Sequence, residues 1–147
     1  KKIMAITSAI CNSFKVQILT GTHNFTVTSG DTFNLALYTS SATLNKSTTV
    51  YITTNEVATA TGYTAKGKAL TSVTPVLSSD TAVCDFANVS WTSASFTARG
   101  CLIFNDSVAT DPAVCAIDFG GDKTVTSGTF TIEFPAASAG TAIIGIA

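Results

Sequence analysis

This chain is short of charge. Only 12% of its 147 residues are Asp, Glu, Lys or Arg, and the net charge is −1. A soluble domain ordinarily carries about twice that share. With no basic field, nothing draws the chain to nucleic acid or to an anionic membrane surface. Histidine is scarcer still, since His23 stands alone. The four cysteines, Cys11, Cys84, Cys101 and Cys115, are dispersed and form no Cys-x-x-Cys pair. A zinc site therefore has no framework in the sequence. No apolar run approaches the ~18 residues needed to span a bilayer as a helix. The opening "KKIMAITSAICNSF" has the lysines of a signal peptide, but its apolar part is short and broken by Thr7, Ser8, Asn12 and Ser13. It is not read as one.

Hydrophobic residues, at 46%, and a wealth of threonine and serine take the place of charge. That apolar share excludes disorder, and 147 residues are enough for one domain with a sizeable core. Threonine is β-branched, fits a pleated surface, and hydrogen-bonds without charge. A surface of neutral hydroxyls resists association poorly, which suits a protein held in an assembly. Cys101 and Cys115 lie inside apolar runs, where a thiol behaves as a small hydrophobe, and reduced thiols are expected. Sequons at Asn24, Asn45, Asn88 and Asn105 are what a chain this rich in serine and threonine produces by chance.

Along the chain the hydrophobic period changes. Ile3, Ile6, Ala9, Ile10, Phe14, Ile18 and Leu19 recur at three- and four-residue spacing. This spacing predicts an N-terminal helix within residues 1–21, capped by Thr7 or Ser8 and closed by Gly21. "TFNLALYT" then alternates, with Phe33, Leu35 and Leu37 on one face and Asn34, Ala36 and Tyr38 on the other, as in a half-buried strand. Residues 40–68 lack a period and read as loops, with a short helical turn near Thr54–Glu56 and a short strand near Val50–Ile52. From Ala69 onward, strand-like runs alternate with turn formers: Ser79-Asp80, Thr92-Ser93, Asp111-Pro112, Gly120-Gly121-Asp122, Ser127-Gly128 and Ala139-Gly140. No helix-length segment intervenes to make parallel crossovers. The expected fold is a single all-β domain over residues 1–147, an antiparallel β-sandwich with jelly-roll-like connections and one N-terminal α-helix.

Candidate chemistry is thin. Gly120-Gly121-Asp122-Lys123 lacks the spacing and the following helix of a phosphate loop, and reads as a turn. Asp106, Asp111, Asp118 and Asp122 carry oxygens suited to a hard cation, but without EF-hand order. His23 has no Gly-x-Ser-x-Gly elbow to serve. Glu56 and Glu133, the two glutamates, are the natural members of any hydrolytic carboxylate pair, yet nothing groups them. Trp91 reads as core before it reads as a sugar platform. Arg99, mid-strand among apolar residues, is either paired with an acid or kept for a neighbouring subunit. No catalytic, cofactor or metal residue is assigned.

Five stretches in order, "SFKVQILTGTHNF", "DTFNLALYTSSATLNKSTTVYITTNEV", "GYTAKGKAL", "VSWTSASFTARGCLIFN" and "AVCAIDFGGDKTVTSGTFTIEFP", cover nearly the whole chain. Together they resemble a family of small structural proteins encoded by tailed bacteriophages. The resemblance is most specific in "ARG…LIFN" and "DFGGDKT…GTFTIEFP". It implies a non-catalytic virion component assembled in bacterial cytoplasm, a capsid cement or decoration protein. Its partners would be the major capsid protein and copies of itself, as a trimer. Cys84, Cys101 and Cys115 belong to no motif of that resemblance. On this reading the helix and residues 40–68 make the contacts, with Phe14, Ile18, Tyr51, Tyr63 and Arg99 as interface residues. The alternative is a receptor- or carbohydrate-binding module at the tail or neck, which requires Trp91, Tyr51 or Tyr63 on an accessible face.

Overall fold

The computed structural model describes residues 5–60 and 62–147. Ile3, the first residue of the expected helical stripe, and the two leading lysines lie outside the described residues. Two antiparallel sheets form a sandwich-like all-β fold with one short N-terminal helix. The strands are β1 (Ala9–Ile10), β2 (Phe33–Tyr38), β3 (Lys68–Ala69), β4 (Ser72–Ser78), β5 (Thr81–Phe86), β6 (Val89–Asn105), β7 (Ala113–Ile132) and β8 (Ile144–Ile146). The main sheet runs β1-β7-β6-β2-β3 and the small sheet β4-β5-β8.

The fold is built on the β6–β7 hairpin, whose strands are 17 and 20 residues long. The sequence suggested several short strands here, separated by turns. Asp111-Pro112 does lie in the turn between the strands, but Thr92-Ser93, Gly120-Gly121-Asp122 and Ser127-Gly128 are bulges instead. Between Trp91 and Ala94 the extra residue lies on β6, and between Phe96 and Ala94 it lies on β7. Ser93 and Ser127 take left-handed backbone angles at these points. The largest bulge holds the Gly-Gly-Asp: two steps along β6, from Ala98 to Gly100, answer five along β7, from Lys123 to Asp118. Asp118 Oδ1 accepts a hydrogen bond from the Gly120 amide at 3.0 Å and shapes the bulge. Turns and bulges need the same positive φ, so their residues look alike in sequence.

Bulges bend strands, and here they fold the hairpin over. Phe119 and Phe130 are eleven residues apart on β7, which is about 36 Å along a straight strand. Their ring centroids are 6.1 Å apart. The concavity holds an aromatic core in which Phe96 packs on Phe130 at 5.1 Å and on Tyr63 at 5.7 Å, and Trp91 meets Phe130 at 6.1 Å.

The helix, α1 (Asn12–Leu19), is shorter than expected. Thr7 and Ser8 do not cap it. Ser8 Oγ accepts from the Asp118 amide at 2.8 Å, and Cys11 occupies the N-cap without a side-chain bond. Ala9 and Ile10 are drawn into β1 opposite Ala116 and Cys115. Gly21, at φ 73°, closes the helix as expected, with Thr22 N–H donating to Gln17 O at 3.0 Å. β2 is buried on both faces, because residues 40–68 lie over the face expected to meet solvent. Within those residues Val50 makes only an isolated bridge to Pro112, and Thr54–Glu56 is a turn with Asn55 at φ 62°.

Candidate functional site: an open strand edge and two internal polar networks

The candidate interface residues divide sharply. Phe14 and Tyr63 are each 2% exposed and belong to the core, so neither meets a neighbour. Ile18 packs half-buried against the same core. On α1 the exposed apolar side chains are Val16, which lies between Phe14 and Ile18 and off their stripe, and Leu19, the last residue of the stripe. Tyr51 is half-buried and stacks on Phe104 at 4.7 Å. Arg99 is paired: its Nε donates to Asp118 Oδ1 at 3.0 Å, and the guanidinium holds that carboxyl below its ordinary range. Trp91, 3% exposed, lies beneath Lys68. The accessible aromatic face required of a sugar-binding module is therefore not formed by Trp91, Tyr51 and Tyr63.

Glu56 is the hub of the irregular segment. Its Oε1 accepts from Tyr63 OH at 2.7 Å and from the Lys66 amide at 2.8 Å, and its Oε2 accepts from Tyr51 OH at 2.5 Å. Tyr63 OH in turn accepts from Leu37 N–H of β2 at 2.9 Å. Burial, together with the carboxylate beside them, raises both phenols well above their ordinary range. Lys66 Nζ lies 2.8 Å from Asp106 and 2.9 Å from Asp111, which raises its ammonium in turn. These two acids are thus occupied by a lysine and Asp118 by an arginine. Among the described residues no three metal-ligating side chains converge. Glu133 is exposed and has no part in the Glu56 network.

A second network surrounds His23, which is 6% exposed. Its Nε2 lies 3.0 Å from Gln17 Oε1 and its Nδ1 3.2 Å from Asn105 Nδ2. Both ring nitrogens are held by amides, so His23 does not build a Ser-His-Asp set. Burial lowers its basicity, and Asp31 partly offsets this. All four cysteines are free thiols, and burial pushes Cys11 up to about 11 and Cys115 to about 12, far from reactive thiolates.

The surface carries a sizeable concave feature. A trough of about 740 Å³ follows the outer edge of β7, with Ile10, Ile117, Phe119, Phe130, Ile132 and Phe134 in its walls and Lys123 and Glu133 as its charged members. β1 covers this edge only at Cys115 and Ala116. Beyond them Ser8 Oγ takes the Asp118 amide, and among the described residues no other strand pairs with the edge out to Ile132. Sequence reasoning missed the trough, because it exists only once β7 has bent back on itself. Further apolar surface lies on the small sheet, where Leu77, Ala82 and Ile146 stand in one cross-strand row. Leu77 is 73% and Ile146 55% exposed. No described helix is long and apolar enough to cross a membrane. Comparison with family models, curated proteins and solved structures returned no match.

Proposed function

We propose that this chain is a structural component of a tailed-bacteriophage particle: a capsid cement or decoration protein, trimeric, seated where capsid subunits meet. The observation that carries the reading is the apolar trough beside a strand edge that, among the described residues, no strand pairs beyond Ala116. Exposed edges are ordinarily blunted, because they recruit other chains. Here a long one is left open beside apolar walls, on a chain with little charge to keep neighbours away. A neighbouring subunit that lays an extended segment along β7 satisfies the free main-chain groups and covers the apolar walls in one step. The row at Leu77, Ala82 and Ile146 supplies a second apolar contact. The resemblance in residues 89–105 and 113–135 supports the same reading, since those residues form β6 and β7.

The contacts proposed here differ from those expected of the sequence. Phe14 of the helix and Tyr63 of residues 40–68 are buried, so the role passes to β7 and the small sheet, with Val16 and Leu19 the apolar side chains that α1 still exposes. Quantitative mass spectrometry of purified particles tests the function. Sixty or more copies per head are expected. A handful of copies indicates a tail or neck position, and none removes the chain from the virion.

A further inference from the structure

The buried histidine offers a device that the structural role does not require. His23 joins three parts of the molecule: Gln17 on α1, the loop that follows it, and Asn105 at the end of β6. The proton positions follow from the partners. Asn105 Oδ1 accepts from the Ser107 amide at 3.0 Å, and its Nδ2 donates to Asp31 Oδ2 at 2.7 Å. The amide orientation is thereby fixed, and Nδ2 faces the ring as a donor. His23 Nδ1 must then be the unprotonated nitrogen, and Nε2–H donates to Gln17 Oε1. Protonating Nδ1 sets one donor against another at 3.2 Å.

The surroundings are largely apolar and disfavour the added charge. Phe14 of α1, Phe25 of the loop and Phe33 of β2 pack on the ring at centroid distances of 5.0, 6.4 and 6.2 Å. Gln17 and Asn105 are neutral. Among the described residues Asp31 is the one charged group whose field reaches the ring; it favours protonation but only partly offsets burial, and its Oδ2 is shared with the Asn24 amide at 2.8 Å and with Asn105.

We propose that His23 is an acid-operated latch: neutral, it fastens α1 and residues 22–31 to the end of β6, and protonated, it releases them. Release uncovers the stacked pair Phe25–Phe33, whose rings lie 4.3 Å apart. The direction of the linkage agrees. A histidine that is less basic in the folded state leaves the open form binding more protons, so closure is complete above about pH 6.5 and weakens as pH falls below it.

Hydrogen exchange resolved by segment, from pH 7.5 to 4.5 and corrected for intrinsic exchange rates, tests the latch on the intact chain. Protection of residues 12–31 is expected to fall by up to about tenfold per pH unit below about 6.5, while β6 and β7 keep theirs. His23→Gln, which carries no titrating proton, should abolish this dependence, and Asp31→Asn should leave it in place. Unchanged protection across the range, an equal loss throughout β6 and β7, or the same dependence in His23→Gln overturns the proposal. If His23→Gln does not fold, ¹⁵N chemical shifts of the His23 ring in the unaltered protein decide. Protonation at Nδ1 that coincides with loss of protection in residues 12–31 supports the latch, and protonation without it refutes it.

Discussion

Residues 40–68 and the small sheet reverse the usual relation between regularity and burial. The first segment has almost no secondary structure, yet Ala42, Leu44, Val57 and Tyr63 are buried and Glu56 gathers three hydrogen bonds. The small sheet is paired along its strands except for a bulge between Val73 and Val76, yet every residue from Val73 to Leu77 is exposed. Main-chain bonds alone do not seat an element in a fold. What seats the irregular segment is a carboxylate and two phenols whose bonds are made where water is scarce. What leaves the small sheet projecting is that only one end of it, around Phe86 and Ile144, reaches the core. One region has turned its side chains into the fold, and the other leaves them at the surface, where we propose that a neighbouring molecule meets them.

Substitutions sharpen this contrast. The largest effect is expected at Gly67, which sits at φ 67° with an added Cβ only 1.8 Å from Leu35 O. Gly67→Ala should cost about 3 kcal/mol or more, because both the backbone angle and a β2 carbonyl oppose it. Denaturant unfolding measures this, and a variant as stable as the parent would show that the irregular segment is not pressed against β2. Glu56→Ala comes next, at about 2–3 kcal/mol, since it strands two phenols and the Lys66 amide together. Lys66→Met should cost about 1 kcal/mol or less. Its ammonium is half exposed and screened, so the loss should shrink in high salt. Leu77→Ser, in the small sheet, should change stability by no more than about 0.5 kcal/mol and yet lower incorporation into particles. Lost stability with normal incorporation would reverse the roles assigned to the two regions.

Much of the fold was legible because strands announce themselves locally. The alternation in "TFTIEF" and the break at Gly21 needed no distant partner to be read. The bend in the hairpin was not legible, since Gly120-Gly121 and Ser127-Gly128 carry the chemistry of a turn whether the chain reverses or bulges. Nor was the Glu56 hub: Tyr51, Tyr63 and Lys66 stand five, seven and ten residues from it in sequence, at no helical or strand period. A single glutamate flanked by two tyrosines in a segment poor in charge was the one available signal. The short helix misled for a related reason. Ile6, Ala9 and Ile10 keep a helical spacing, but they pack as extended chain against Gly100 and β7.

Electron cryomicroscopy of particles that carry this chain is the most direct trial of the account. It predicts that the main-chain edge from Phe119 to Ile132 and the trough beside it lie beneath an extended segment of a neighbouring subunit on the head. Density in which that edge faces open solvent, while the molecule is held through residues 40–68, would contradict it.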